Sequence, residues 1–167
     1  AVGSPGSGFI DEPNPDLEFE TSGYSANKPL ILLIDDDPEM LLMLQDFLQT
    51  DYDIIFAENG RDAYHKVITD KPDLIVSDVV MPEMDGIELC CRLRENFDTS
   101  HLPIILLAAK AEIEDRIAGL KAGADSYIAK PFHPDHLKIR ILKLLQLRAG
   151  ILNQFSKPRG NQTLLKE

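Results

Sequence analysis

Residues 74–86 read Leu74-Ile-Val-Ser-Asp-Val-Val-Met-Pro-Glu-Met-Asp-Gly86. An apolar run stops at a single carboxylate, Asp78, and passes into a loop carrying Pro82, Glu83, Asp85 and Gly86. The run is short and shows no every-other-residue polarity, so it predicts a strand buried on both faces, with Asp78 at its carboxyl end.

Working outwards, Leu30–Ile34, Asp53–Ala57, Ile104–Ala108 and Ser126–Ala129 are runs of the same kind. Amphipathic segments at Pro38–Gln49, Gly60–Thr69, Gly86–Asn96, Glu112–Ala122 and Pro134–Leu147 separate them and read as helices. Asp37 is placed to cap the first helix with Pro38 at its first position, and Gly123 closes the fourth. Five βα units in succession imply an α/β fold, a doubly wound five-stranded parallel sheet with helices on both faces. Ligands bind such sheets at the carboxyl ends of the strands, where the strand order reverses. Asp35 and Asp36 follow strand one, Asp78 follows strand three and Lys130-Pro131 follows strand five. With strand order 2-1-3-4-5, strands one and three are neighbours and Asp36 lies beside Asp78.

That edge gathers three carboxylates and one ammonium. Carboxylates so crowded repel unless a cation neutralises them. An all-oxygen donor set favours Mg²⁺, Mn²⁺ or Ca²⁺ over zinc. A carboxylate also serves as a covalent phosphoryl acceptor; Asp78 is the candidate nucleophile, with Lys130 as a point charge for phosphate oxygens.

Composition narrows the field. A net charge of −11 over 167 residues argues against nucleic-acid binding by the domain as a whole. The charge is uneven, since Lys138 to Lys166 holds seven basic residues and no acid, as suits a helix C-terminus or a docking segment. No apolar run approaches the ~20 residues of a spanning helix, and no secretory leader is visible. Cys90 and Cys91 are adjacent on a helical segment and poorly placed for a disulfide, so a cytoplasmic setting without membrane contact is expected. Residues 1–27, rich in Gly, Ser, Pro and acids, read as a linker or lead-in. A domain is expected over 28–148 and a connector or tail over 149–167, with a helix break near Ala149-Gly150.

Three of these stretches carry a specific resemblance. Ile31-Leu-Leu-Ile-Asp-Asp-Asp37, Leu74 to Gly86 and Gly123-Ala-Asp-Ser-Tyr-Ile-Ala-Lys-Pro-Phe132 resemble the receiver domain of two-component response regulators over residues about 30 to 147. The resemblance implies a flavodoxin-like sheet with Asp78 as the phosphoacceptor. Asp36 would bind Mg²⁺ (or Mn²⁺) directly and Asp35 directly or through water, together with Asp78 and the backbone carbonyl of Val80. Lys130 would pair with the phosphoryl group across a Lys130-Pro131 bond that is usually cis, and Tyr127 would be the aromatic switch residue. The implied partners are a histidine kinase as phosphodonor and a second copy through the face of helix four, strand five and helix five. The implied role is signalling rather than enzymatic.

One position departs from the pattern. Receivers usually carry Thr or Ser at the end of strand four, where this chain has Ala108, so only the backbone N–H of Ala109 remains there as a donor. Further stretches, Thr99 to Pro103 and Lys130 to Lys138, are similar to receivers of hybrid histidine kinases of Bacteroidetes type. None of His65, His101, His133 and His136 sits in a phosphorylatable helical motif, which places the donor elsewhere. The competing readings are a degenerate receiver acting as a phosphorylation-independent binding or dimerisation module, and a metal-dependent phosphatase with Asp78 as nucleophile. The second would want an acid where the chain has Val80. No glycine-rich phosphate loop follows the first strand.

Overall fold

The computed structural model describes residues 28–109 and 113–156. Five strands alternate with five helices: β1 (Leu30–Ile34), α1 (Pro38–Leu48), β2 (Asp53–Ala57), α2 (Gly60–Asp70), β3 (Leu74–Asp78), α3 (Gly86–Glu95), β4 (Ile104–Ala108), α4 (Ile113–Lys121), β5 (Ser126–Ala129) and α5 (Pro134–Ser156). The sheet is parallel, in the expected order β2-β1-β3-β4-β5.

The unbroken apolar strands serve two cores at once. Side chains alternate across a strand, so Leu32, Ile34, Ile75, Ile104 and Leu106 join one cluster with Ala63 and Val67 of α2 and Leu89, Cys90 and Leu93 of α3. Ile31, Leu33, Leu74, Val76, Ile105 and Leu107 join the other with Leu41, Leu44 and Leu48 of α1 and Leu137 and Ile141 of α5. A sheet covered on both faces favours apolar side chains on both, which is why the sequence shows no alternation.

Local signals at the helix ends hold. The Asp37 side chain accepts the Glu39 N–H at 3.0 Å at the start of α1, and Asn59 and Asp85 cap α2 and α3 in the same way. Gly123 adopts the left-handed φ of +108° after α4. The break expected at Ala149-Gly150 does not occur, because α5 runs without interruption from Pro134 to Ser156. Glycine costs a helix only about 1 kcal/mol relative to alanine, and nothing lies within 4 Å of where a Gly150 side chain would be. The lead-in 1–27 and the tail beyond Ser156 lie outside the described residues.

Candidate functional site

Register assembles the site. Ile34 pairs with Ser77 across β1 and β3, so the next residues, Asp35 and Asp78, leave the sheet side by side. Ala108 pairs with Ala129 across β4 and β5, which delivers Lys130 to the same edge. Carboxylate oxygens of Asp35, Asp36 and Asp78 all lie within 4.8 Å of one another. Lys130 Nζ donates to Asp78 Oδ1 at 3.1 Å and to Asp35 Oδ2 at 3.4 Å. The two carboxylates differ in setting: the Asp35 side chain is 3% exposed and that of Asp78 14%. Asp36 is exposed, on the solvent side of the same cluster.

Burial raises the pKa of Asp35 above its ordinary value, against the opposing pulls of the Asp37 N–H at 2.9 Å and of Lys130. Burial acts on Lys130 in the opposite sense, but the charges of Asp78 and then Asp35 outweigh it and raise its pKa. The two shifts are compatible, because desolvation dominates at Asp35 while Asp78 is the principal partner of the lysine. A poorly solvated carboxylate beside two others is a donor set in want of a hard cation. These residues therefore fit a divalent metal.

The loop after β3 is fixed from several sides. Val79 donates to Leu107 O at 3.0 Å and accepts from Gly86 N–H at 2.8 Å, while the buried Ser77 hydroxyl donates to Asp78 O at 2.8 Å. A Cβ on Gly86 would collide with the Asp78 carbonyl oxygen, so the loop can close only with glycine there. Met81 and Met84 are tucked under it, Gly60 N–H donates to Met84 O at 3.1 Å, and Val80 is left 76% exposed at the rim. Ala108 is buried and Ala109 exposed at the end of β4. Tyr127 is 8% exposed, its ring turned into the core. The Lys130-Pro131 bond is cis.

Two contributors escaped the sequence reading. Ser77 sits inside an apolar run with nothing to mark its hydroxyl. Arg94 passes for a surface cation of α3, yet it donates to Gly123 O at 2.9 Å, Ser100 O at 3.1 Å and Leu102 O, and pairs with Asp125 at 2.9 Å. Its sequence neighbours give no hint, because its partners lie on two later segments, the α3–β4 loop and the turn before β5.

Comparison with known proteins defines the class. Residues 31–142 match the family model of the response regulator receiver domain. The chain belongs to that family. It is 39% identical over 129 residues to histidine kinase P4 of Formosa agariphila, covering 77% of this chain and 9% of that protein. It is 43% identical over 117 residues to the alkaline phosphatase synthesis transcriptional regulatory protein PhoP of Bacillus subtilis, covering 70% and 48%. Among solved structures, the signal receiver domain of a signal transduction histidine kinase from Syntrophus aciditrophicus superposes with a TM-score of 0.67 at 37% identity, over 71% of this chain and 90% of that one. The receiver domain of Francisella response regulator 1452 does so with a TM-score of 0.67 at 36% identity, over 72% and 98%. The chain thus spans less than half the length of those two curated relatives and nearly all of those two solved receivers. The resemblance read from the three motifs and the flavodoxin-like topology are both confirmed, and the domain is a signalling module of two-component systems. No helix among the described residues is long and apolar enough to cross a membrane.

Proposed function

We propose that residues 28–148 accept a phosphoryl group on Asp78 from the phosphohistidine of a histidine kinase, with 149–167 connecting to whatever the signal reaches. The supporting observation is the Asp78 carboxylate, held at 3.1 Å by Lys130 within an acidic cluster at the sheet's ligand-binding edge. In the transfer, an Asp78 oxygen bonds to phosphorus as the N–P bond breaks, and the imidazole leaves with the electron pair and takes up a proton. Asp36, Asp35, Asp78 and the Val80 carbonyl would hold Mg²⁺ or Mn²⁺, which supplies positive charge against the repulsion between carboxylate and phosphoryl oxygens. Lys130 keeps the Asp78 carboxylate in place beforehand and stays available to a phosphoryl oxygen afterwards. The N–H of Ala109 is the one main-chain donor assigned to that oxygen from β4. Contacts on the face of α4, β5 and α5, to an output domain or a second copy, are the readout.

Mixing the protein with Mg²⁺ and acetyl phosphate tests this by intact mass, with Asp78→Asn as control. A single phosphate on the wild type alone supports the reading, and an unmodified chain counters it. A second reading, a phosphorylation-independent binding module, is favoured by Ala108. Replacing a hydroxyl by a methyl removes one hydrogen bond to a charged group, worth about 1.5–3 kcal/mol. Wild type that takes up phosphate with no change in oligomeric state or partner affinity, while Ala108→Thr gains one, would single out this alternative.

A further inference from the structure

The amino ends of β3, β4 and β5 lie at the opposite edge of the sheet from Asp78 and border a groove. It has a volume of about 1060 Å³ and runs between the end of α2, the α3–β4 loop, the turn before β5 and the later part of α5. Ile68, Pro72, Leu144 and Leu147 give it an apolar lining, of which Ile68 and Leu147 stay 43% and 63% exposed. Uncovered apolar side chains gathered in one place mark a contact surface. The charge of the lining is opposite in sign to that of the chain. Lys71, Arg94 and Arg148 face only Asp98 and Asp125 there, whereas the whole sequence carries −11. Arg94 is committed to Asp125 and to main-chain carbonyls. Lys71 has no ion pair among the described residues, and Arg148 has only Asp73, at 3.9 Å.

The chain itself supplies a segment of matching chemistry. Residues 1–27 contain five acids and no base, and 16–20 read Asp-Leu-Glu-Phe-Glu, two large apolar residues each set between acids. The start of β1 adjoins the groove. Leu30 N–H donates to Asp73 Oδ2 at 2.7 Å, Asp73 N–H donates to Leu30 O at 2.7 Å, and Arg148 Nη1 donates to Asp73 O at 2.6 Å. Lys71 and Pro72 of the lining immediately precede Asp73. The ten residues from Glu20 to Leu30 can span about 33–36 Å at most, so the groove is within reach. Tethering at that length gives an effective concentration in the millimolar range, far above that of a second copy in dilute solution.

We propose that the groove binds residues 16–20 of the same chain. Leu17 and Phe19 cover Ile68, Leu144 and Leu147, and the carboxylates of Asp16, Glu18 and Glu20 meet Lys71 and Arg148. Leu144, Leu147 and Arg148 belong to α5, so the contact clasps the segment before β1 to the helix that ends the domain. It does not depend on phosphoryl acceptance by Asp78.

The test uses the full chain with Cys91→Ser and a nitroxide on Thr21→Cys, beside the segment, and reads the amide signals of the nitrogen-15-labelled protein. Amides of Ile68, His101 and Leu147 are expected to lose at least half of their intensity, and those of Asp36 and Val80, at the opposite edge, less than a tenth. Lys71→Glu, Leu147→Asp and Phe19→Ser should each recover at least half of the loss. Lys71 and Leu147 are exposed, so the fold tolerates these changes, and Phe19→Ser leaves the groove itself untouched. Groove amides that keep their full intensity overturn the proposal, as do losses that survive all three substitutions. Nitroxide-bearing chains without the isotope are also mixed with isotope-labelled chains without the nitroxide, and there the groove signals should stay sharp. Losses in that mixture as large as in the single chain assign the groove to a second copy and overturn the choice of occupant. Asp78→Asn should give the wild-type pattern, so failure of the acceptor reading would leave this result standing.

Discussion

Lys130 answers chiefly to two carboxylates, and Cys90 chiefly to its burial. The ammonium gains from Asp78 and Asp35, which raises its pKa. Such a group stabilises the fold below its unfolded value and loses that contribution as pH rises through its folded value. Cys90 is fully buried, and burial pushes its thiol up to about 11. The unfolded thiol ionises first, so its contribution too declines as pH rises from about 9. Urea unfolding should therefore show falling stability between about pH 9 and 11. Cys90→Ala should flatten the lower part of that decline and Lys130→Met the upper part; identical slopes in all three proteins would contradict both assignments. At pH 8 iodoacetamide should modify the exposed Cys91 and spare Cys90, read directly by peptide mass.

Asp36 makes a separate point at the same scale. It is exposed, and it contributes charge to the cluster without a described hydrogen bond of its own. Asp36→Asn should leave melting in metal-free buffer unchanged or slightly higher, because one of three mutually repelling charges is gone. The same variant should lose most of the thermal shift that millimolar Mg²⁺ gives the wild type through binding to the folded state. An undiminished shift would remove Asp36 from the metal site.

Among the elements, α3 carries more than its share through Arg94. Four bonds from one guanidinium tie α3 to the α3–β4 loop and to the turn before β5, where Asp125 also accepts the Ile104 N–H at 2.8 Å. Arg94→Ala strands three carbonyls and a carboxylate in a partly buried setting and should cost about 2–4 kcal/mol. Arg94→Lys should recover little of it, since an ammonium cannot reproduce the planar fork. Arg92, two residues earlier, holds only an exposed pair with Glu88 at 3.2 Å, so Arg92→Ala should stay within about 0.5 kcal/mol. Denaturant midpoints of the three variants separate the cases. The sequence marks both arginines alike, because a pattern of charge along a helix says nothing about which later segments will fold against it.

At the scale of the molecule, one sheet supports two cores, and each central strand serves both. Ile105 is wholly buried in the core shared with α1 and α5. Ile105→Ala should lower stability by about 2–5 kcal/mol, whereas Leu42→Ala, at a side chain 61% exposed on α1, should change it by less than about 0.5 kcal/mol. A comparable loss at both sites in urea titrations would mean that Leu42 is covered in solution.

Element order, strand boundaries and the carboxyl-edge placement of Asp35, Asp78 and Lys130 were legible without coordinates, because apolar runs and helix caps are local and because parallel βα units admit few arrangements. The unbroken α5 was misjudged at Gly150, where a helix penalty near 1 kcal/mol is smaller than the surrounding preference for helix. Register and depth were decided only in three dimensions. Ile34 opposite Ser77 makes Asp35, not Asp36, the buried neighbour of Asp78, and it brings Lys130 to both. The Arg94 ties and the close packing of the Tyr127 ring against Gly119 likewise exist only once distant segments meet. Residue types and their spacing are written along the chain and fix what each segment can form, whereas distances between segments, and the burial that shifts a pKa, arise from packing that no local pattern encodes.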